Sequence, residues 1–402
     1  MTSNPWKEAS TLIMVARASI AQKVGPDLAQ NLMITSRVVQ AADKQSIKAS
    51  KNLYKTDYRV LMVKRSNLSS FMASAYVFPG GHIEISDFSP KWWDIFSRFG
   101  MNKDELTSDI RSRVSGPRPP LLELPLLVKD ALESGDLSKD HLIPEIALRI
   151  AAIRETFEEA GVPILRKLSG NAINESAGTI VNTDIDLSAW RNKTRHNGSA
   201  FLELCSELNL CPDIWSLYEW WDWLTPISVG HKRFDTMFYL CCLDKQPEVV
   251  IDNAEVTNLK WCTPKEILKD HKQEGVFLAP PQVYELARID NLNSFNSIQE
   301  FARKREKHGI ERWMPVIATY SDGAISSLPG DDLYPAEPDL VGLKPVPDYP
   351  QTLQEMRTKS KNMNRIELTG PISNCVCNRK LSCGHLSPIT DSPVMHSVQS
   401  ML

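Results

Sequence analysis

The chain lacks any long apolar run and any large excess of charge of one sign. Nowhere in its 402 residues is there a stretch near the ~18 uninterrupted apolar residues of a membrane-spanning helix. Lysine and arginine number 46 against 49 aspartates and glutamates, so the formal net charge is 46 − 49 = −3. No global field therefore attracts nucleic acid or an anionic membrane, and an anionic ligand has to meet a local basic site.

Secretion signals and internal repeats are also missing. The N-terminus, MTSNPWKEAS, has charges before a short apolar run and no cleavage-like site. The eight cysteines lie mostly in apolar or strand-like runs, which is typical of reduced thiols. These features predict a soluble intracellular protein. With 42% hydrophobic residues, the chain can bury one large core or two ordinary ones.

Apolar runs of strand length predict one sheet, and a helix interrupts them. The runs cover residues 11–17, 58–65, 76–81, 234–243 and 255–262. Apolar residues recur every three or four positions from Ile146 to Ala160, with Pro144 at the start and Gly161 at the end, which predicts an amphipathic helix. Between these elements the helical but broken pattern of residues 89–142 indicates an inserted helical subdomain.

Three glutamates lie on one face of the predicted helix. At 100° per residue, Glu158 and Glu159 fall about 60° and 40° on either side of Glu155, so the carboxylates share an arc of ~100°. A solvated acidic helix end is the ordinary interpretation of such a group taken alone. The alternative interpretation is a binding site for a divalent cation, because hard cations such as Mg²⁺ or Mn²⁺ take oxygen ligands and bind together with substrate phosphates.

A longer motif favours the cation. The sequence has PGG at 79–81, then Asp87, then RETFEEAGV at 154–162, and it resembles the Nudix box G-x5-E-x7-R-E-U-x-E-E-x-G-U, where U is apolar. The second half matches at every specified position. In the first half Asp87 replaces Glu, and the gap to Arg154 is 66 residues (88–153) instead of seven, which adds 66 − 7 = 59 residues.

The interrupted box resembles the nucleoside diphosphate-linked moiety X motif 19 family of Nudix hydrolases. The flanking segments VLMVKRS, AYVFPGG, RFDTMFYLCC and PGDDLYP extend the similarity over most of the chain. The resemblance implies an α/β/α sandwich around a mixed sheet, with a helical insertion (88–143) in a domain spanning 8–290. Residues 291–402 are expected to add a helix and an extended, proline-rich tail that packs on or flanks the domain.

The same resemblance implies a metal-dependent diphosphatase with coenzyme A and acyl-coenzyme A as substrates. Its products would be 4′-phosphopantetheine, or the acyl form, and adenosine 3′,5′-bisphosphate. Glu155 and Glu159 would be the principal ligands of Mg²⁺ or Mn²⁺, with Glu158 a further ligand or the holder of a bridging water. The Gly81 carbonyl is an additional candidate ligand, because the glycine pair lets the backbone approach a metal.

The remaining box residues are assigned by position. Arg154 is expected to orient a carboxylate beside the metal ligands. Asp87 is a candidate for part of the positioning role of the missing Glu. The general base is not determined by the sequence: Glu158 and a loop residue such as Glu255 are both candidates, and we favour Glu158.

Three basic residues at strand ends are candidates for binding substrate phosphates. Lys64, Arg65 and Arg233 have side chains that suit phosphate oxygens, including a 3′-phosphate. Surface solubility is the alternative for each. Residues 231–233, HKR, form the best local basic cluster of this region.

Two further groups admit a structural and a functional interpretation. Cys375, Cys377, Cys383 and His385 are either structural residues or, at irregular spacing, a zinc site. The run WWDW at 220–223 is either core packing or a platform for an acyl or adenine group.

The function has alternatives as well. Hydrolysis of other nucleotide diphosphates or of RNA caps would use the same chemistry, and the altered box leaves open an inactive binding module. No membrane partner is expected. The C-terminal Ser400-Met401-Leu402 matches the first and last positions of an SKL-type signal, which together with the family resemblance predicts a peroxisomal location, with a cytoplasmic or mitochondrial one as the alternative.

Overall fold

The computed structural model describes residues 5–18, 56–167, 177–181, 186–229, 232–251 and 255–390. Within these ranges no helix is long and apolar enough to cross a membrane. The described strands are β1 (Lys7–Arg17), β2 (Tyr58–Arg65), β3 (Tyr76–Val77), β4 (Gly80–His82), β5 (Leu165–Lys167), β6 (Leu210–Pro212), β7 (Leu217–Leu224), β8 (Phe234–Leu243), β9 (Val256–Cys262), β10 (Arg312–Trp313), β11 (Val316–Tyr320), β12 (Gly323–Ser327), β13 (Asp348–Tyr349), β14 (Asn364–Thr369) and β15 (Ile372–Cys377). The described α-helices are α1 (Trp92–Arg98), α2 (Lys103–Ser112), α3 (Pro120–Glu123), α4 (Leu126–Ser134), α5 (Pro144–Ala160), α6 (Ser188–His196), α7 (Ser199–Glu207), α8 (Pro264–Gln273), α9 (Pro280–Ile289), α10 (Phe295–Glu306) and α11 (Leu353–Lys359).

Eight strands form one mixed sheet. The main path runs β10-β7-β8-β1-β2-β3, while β4 pairs with β1 and β9 pairs with β2. Strand β1 is parallel to β8 and antiparallel to β2 and β4. Helices lie on both faces, so the predicted α/β sandwich around a mixed sheet is confirmed.

Helix α5 covers one face of this sheet. The Ser10 hydroxyl of β1 donates a hydrogen bond to the Leu148 carbonyl over 2.7 Å. As predicted, the helix has Pro144 in its first turn and ends at Gly161, which has a left-handed φ of 69°. Almost every residue of α5 is buried, because the sheet lies on one side of it and the inserted helices on the other.

The opposite face is covered by α9. The registers place Trp223 beside Thr236, and Thr236 beside Ala9, so the three side chains share a face that Ser10 does not. The Glu285 carboxylate of α9 accepts hydrogen bonds from the indole N–H groups of Trp220 and Trp223, over 2.7 and 2.9 Å. The cavity described below opens on this face.

The insertion within the box is helical, as predicted. It contains α1 to α4, and α1 buries Trp92 and Phe96 in the main core. The Phe96 ring meets Trp215 edge-on, with centroids 6.2 Å apart. The insertion therefore extends the core of the domain.

The C-terminal region differs from the extended tail that the sequence suggested. Strands β11 to β15 form a second sheet, in the order β13-β11-β12-β14-β15. Its core is small, because Tyr320, Ile325 and Leu353 form a cluster of their own. The prolines that suggested extended chain are concentrated in the connection 329–347, which has no strand or helix. The strands on either side pair across that connection, β11 with β13 and β12 with β14.

Candidate active site

The three glutamates of α5 lie at the C-terminal end of the helix, in a largely buried position. Glu158 is 9% exposed and Glu159 4% exposed. The Glu155 side chain is 12% exposed. This burial excludes the ordinary interpretation of a solvated acidic helix end, since carboxylates leave water only where something compensates their charge.

Arg154 is the cation that joins this face to the first half of the box. Its guanidinium donates to both carboxylate oxygens of Asp87, with Nε and Nη2 each 2.9 Å from an oxygen. Its Nη1 donates to Oε1 of Glu155 and Oε1 of Glu158, also over 2.9 Å, and Nη2 donates to the His82 carbonyl. Arg154 therefore orients carboxylates, and Asp87 holds Arg154 in place.

The glycine pair brings backbone against the carboxylates. The Gly80 amide donates to Oε2 of Glu159 over 2.9 Å. A Cβ atom built at Gly81 would lie 2.5 Å from Cδ of Glu155, so a side chain there would displace that carboxylate from its position. The candidate ligand Gly81 thus adjoins Glu155, in a strand where the absent side chain permits the approach.

A second arginine caps the end of α5. Arg191 of α6 donates from Nε to the Glu158 carbonyl and from Nη2 to the Glu159 carbonyl, both over 2.9 Å. These carbonyls have no acceptor role within the helix, and a cation at a helix C-terminus is favoured by the helix dipole. Arg191 therefore fixes the backbone of two of the glutamates without touching their side chains.

The site carries more negative charge than Arg154 offsets. Desolvation raises the pKa of Glu155 well above its usual range against the opposing effect of Arg154, and the charges of Glu158 and Glu159 raise it further. Desolvation also raises the pKa of Glu158, again opposed by Arg154. A bound divalent cation would remove this excess.

The chemistry of the possible ligand atoms fits such a cation. The side-chain atoms that could bind a metal here are carboxylate oxygens of Glu155, Glu158 and Glu159, and Mg²⁺ and Mn²⁺ prefer oxygen ligands. Oε1 of Glu155 and Oε1 of Glu158 point to Arg154, and among the described residues no three acidic, histidine or cysteine side chains already converge on one metal position. Arg154 binds Oε1 of Glu155 and Oε1 of Glu158, so the Oε2 atoms of both carboxylates are left to serve as metal ligands.

A cavity of about 630 Å³ opens beside the glutamates. Ligand sites are commonly roughly 300–1,000 Å³. The charged lining side chains near β4 and α5 are Arg65, Glu84, Glu155, Glu158, Glu159 and Arg195. Glu255 is the remaining charged residue among the described lining residues, and its carbonyl accepts the Ser66 amide next to Arg65. We call the part beside the glutamates the charged end. Trp223 lies three strands away from His82 of β4 and pairs with Trp313, and the lining residues next to it, Leu224, Pro226 and Val229, carry no charge, so we call that part the apolar end.

The structure separates the three predicted phosphate contacts. Arg65 lines the cavity, where its guanidinium also donates to Ser69 Oγ and the Phe71 carbonyl. Lys64 does not line the cavity. Its ammonium group lies 5.8 Å from the centroid of the Tyr76 ring. Arg233 does not line the cavity either.

Arg233 has a structural role. Its guanidinium donates to the carbonyls of Thr225 and Leu340, over 2.9 and 2.8 Å, so it ties the β7–β8 connection to the C-terminal region. Only 7% of the residue is exposed. Position 231 of the predicted basic cluster lies outside the described residues.

Sequence reasoning missed two residues of the charged end. Arg195 of α6 lines the cavity one turn after Arg191, and Glu84 lines it beside the Gly198 amide, which donates to Glu84 over 3.2 Å. The basic run RNKTRH at 191–196 is a signal that could have pointed to Arg195. Glu84 has no such signal, because only the fold brings it to Gly198.

The tryptophan run is mainly core, as its structural interpretation predicted. Trp220 and Trp221 are fully buried, and the Arg288 guanidinium lies 4.8 Å from the Trp221 ring centroid. Trp223 is also buried and has an edge on the cavity.

The zinc interpretation of the C-terminal cysteines is not supported. The His385 ring packs against Trp220, with centroids 4.5 Å apart, and its Nδ1 accepts the Leu386 amide. Cys375, Cys377 and Cys383 are free thiols, and the described residues bring no such ligand group together.

Two family models and several known proteins are similar to this chain. The family model of the NUDT19 Nudix domain matches residues 6–289, and that of the NUDT19 C-terminal domain matches residues 317–378. The acyl-coenzyme A diphosphatase NUDT19 of Xenopus laevis is 38% identical over 96% of this chain and 96% of that protein. The human protein of the same name is 35% identical over 77% of this chain and 80% of its own length. A Nudix hydrolase structure from Alicyclobacillus acidocaldarius aligns over 74% of this chain and 97% of its own, with 18% identity and a TM-score of 0.45.

Proposed function

This chain belongs to the NUDT19 family of Nudix hydrolases, and we propose from that premise that it hydrolyses the diphosphate bond of coenzyme A and acyl-coenzyme A. The products are 4′-phosphopantetheine, or its acyl form, and adenosine 3′,5′-bisphosphate. The observation that carries the proposal is the buried carboxylate face of Glu155, Glu158 and Glu159 at the charged end of a ligand-sized cavity. The names of the Xenopus and human relatives support the substrate.

Nudix hydrolases generally use divalent metals, and here Glu155, Glu158 and Glu159 would hold Mg²⁺ or Mn²⁺. A cation bound there neutralises charge on the diphosphate oxygens. Arg154 positions the carboxylates of Glu155 and Glu158, and the Gly80 amide positions that of Glu159. The protein thus supplies an orienting frame for a reaction in which it need not form a covalent bond.

The hydrolytic step needs a water, a base and a stabilised leaving phosphate. The water oxygen forms a bond to one phosphorus while the bond from that phosphorus to the bridging oxygen breaks. We assign the released proton to Glu158, whose carboxylate lines the cavity beside Glu155 and Glu159. The bridging oxygen keeps the electron pair of the broken bond and leaves as part of the second phosphate. Arg65 and Arg195, both at the cavity, are the cations assigned to substrate phosphates.

Product analysis tests the proposal. Purified protein with Mg²⁺ is incubated with coenzyme A, acyl-coenzyme A, ADP-ribose, NADH and capped RNA, and the products are separated by chromatography. Formation of adenosine 3′,5′-bisphosphate from coenzyme A supports the proposal. If adenosine 3′,5′-bisphosphate does not form and another compound of the panel is hydrolysed, that compound replaces coenzyme A as the proposed substrate. Absence of turnover throughout indicates a binding module.

A peroxisomal location is a separate part of the proposal. It rests on the family resemblance and on residues 400–402, which lie outside the described residues. Imaging of a fluorescent protein fused ahead of the full chain, with and without these three residues, tests it. Loss of peroxisomal signal on their removal supports the location, and a diffuse signal for both fusions contradicts it.

A further inference from the structure

The apolar end of the cavity is formed partly by the C-terminal sheet. Pro315, Ile317, Ser326 and Leu368 all line the cavity, and all belong to that sheet or to the segment entering it. The cavity therefore spans two sheets, with the glutamates at one end and the second sheet at the other. A ligand that fills it must leave the charged end and contact the C-terminal region.

The second sheet presents one particular face to the cavity. Ile317 pairs with Ser326, and Ser326 pairs with Ile366, so these side chains share a face. Neighbouring Ile325 belongs to the other face, which packs on Leu353 of α11. Ile366 is fully buried in the main core, whereas Ile317 and Leu368 are only partly buried. Both side chains line the cavity, and Leu368 packs against the main core as well.

This face lies several strands away from the glutamates. The path from β4, which contacts Glu155 and Glu159, crosses β1, β8 and β7 to β10, and the second sheet follows directly after β10. Four steps at about 4.8 Å each give roughly 19 Å along the sheet. Only a long substituent of a bound diphosphate reaches that far.

Charge determines which half of such a substrate faces the second sheet. The four lining residues of the second sheet carry no charge, while Arg65 and Arg195 lie at the charged end. An adenosine 3′,5′-bisphosphate group buried against the second sheet would lack a cation, which is costly. A hydrocarbon chain there gains from leaving water.

We propose that the face of the C-terminal sheet carrying Ile317 and Leu368 is the wall of a subsite for the acyl chain of acyl-coenzyme A. The inference rests on the proposed function, and it gives the C-terminal region a role in selecting substrate. The pantetheine arm runs from the glutamates past Trp223, and the acyl chain ends between the two sheets. Free coenzyme A lacks the group that this subsite binds.

The test blocks the subsite and compares substrates. Ile317→Trp adds bulk to the wall, and we expect the ratio of kcat/KM for dodecanoyl-coenzyme A to kcat/KM for coenzyme A to fall on the order of 10-fold or more. Leu343→Trp is the matched control, because Leu343 is 84% exposed and is not a lining residue. It should leave both values unchanged. An unchanged ratio in folded Ile317→Trp overturns the subsite.

A binding measurement separates this inference from the proposed function. Calorimetric titration of dodecanoyl-coenzyme A into Glu159→Gln, with and without Ile317→Trp, does not depend on turnover. Tenfold or greater weakening by Ile317→Trp supports the subsite, and equal affinity refutes it. Absence of coenzyme A hydrolysis by the unmodified protein refutes the proposed function. Ile317→Ala, which removes bulk without risk of overpacking, should lower affinity for dodecanoyl-coenzyme A and leave affinity for coenzyme A within about twofold.

Discussion

Arg154 and Asp87 are 67 positions apart in the chain and form a two-point ion pair, with Nε to Oδ1 and Nη2 to Oδ2 each 2.9 Å. Both side chains are 1% exposed. The Asp87 carboxylate also accepts the Glu84 amide over 2.8 Å, so it is anchored on both sides. The shorter acid thus takes the positioning role that the box pattern gives to a glutamate.

This pair shows how the box tolerates its insertion. Lengthening the gap from seven to 66 residues raises the loop-closure cost by (3/2)RT ln(66/7), about 2 kcal/mol. The inserted helices bury Trp92 and Phe96 in the main core, and each large apolar side chain buried contributes roughly 1.5–3 kcal/mol. Burial of these two side chains therefore offsets the added loop-closure cost.

Removing the charge of Asp87 should destabilise the fold. In Asp87→Asn the buried guanidinium of Arg154 loses the carboxylate charge that faces its Nε and Nη2. Breaking a buried ion pair typically lowers the free energy of unfolding by about 3–5 kcal/mol. Urea unfolding measures the change. Asp104→Asn, at an exposed position of α2, should cost less than about 1 kcal/mol. Equal small losses for both variants would contradict the role of Asp87.

Glu159→Gln should abolish metal-dependent hydrolysis while the protein stays folded. Mutation of a residue that is only hydrogen-bonded to a metal ligand typically lowers metal affinity or activity by about 10–100-fold. Loss of a ligand itself should therefore lower kcat/KM by more than about 100-fold. Steady-state rates across a Mg²⁺ titration measure it. The control is Glu133→Gln, at an exposed position of α4. Turnover like that of the unmodified protein in Glu159→Gln would refute the metal assignment.

Gly81→Ala should impair the site without unfolding the chain. The added Cβ would displace the Glu155 carboxylate, so we expect weaker Mg²⁺ activation and at least about 10-fold lower kcat/KM. Gly100→Ala is the contrasting variant, because it has open space and a φ of +76°. It should lose about 1–2 kcal/mol of stability and no activity. The idea fails if the two variants have equal kcat/KM.

Arg195→Ala should weaken the capture of phosphate groups. Loss of a cation from the charged end should raise KM for coenzyme A about 10-fold, in line with the ~1.5–3 kcal/mol of a hydrogen bond to a charged group. Lys193→Ala, an exposed position on the same helix, is the control. Identical KM values for the two variants would remove Arg195 from the substrate site.

The free energy of unfolding should fall as the pH rises from the ordinary pKa of Glu8 to its raised pKa in the folded chain. Desolvation raises the pKa of Glu8 from 4.5 to about 7, although the Leu126 and Leu127 amides at the start of α4 donate to its carboxylate. The folded chain then binds more protons than the unfolded chain, so the free energy of unfolding decreases between pH 4.5 and 7 by about 1–3 kcal/mol. Urea unfolding at pH 5 and pH 8 should show this fall, and Glu8→Gln should reduce it. A fall of the same size in Glu8→Gln would assign the effect elsewhere.

Much of the site could be predicted because its residues are close in sequence. Arg154, Glu155, Glu158 and Glu159 lie within two helical turns, and helical periodicity alone places the carboxylates on one arc. The phosphate contacts could not be predicted as well, since a basic residue at a strand end can point to either face. Arg65 lines the cavity, while Arg233 joins the β7–β8 connection to Leu340.

By itself, the sequence determined the α5 helix, its glutamate arc and the helical character of the insertion, because caps, periodicity and composition act over a few residues. Only the tertiary structure decided that Asp87 meets Arg154, that Arg195 reaches the cavity, and that the proline-rich C-terminal region forms a sheet whose Ile317 lines the cavity. These relations depend on strand pairing and packing between segments far apart in the chain. No local pattern encodes such contacts, because their energy comes from surfaces that meet only after folding.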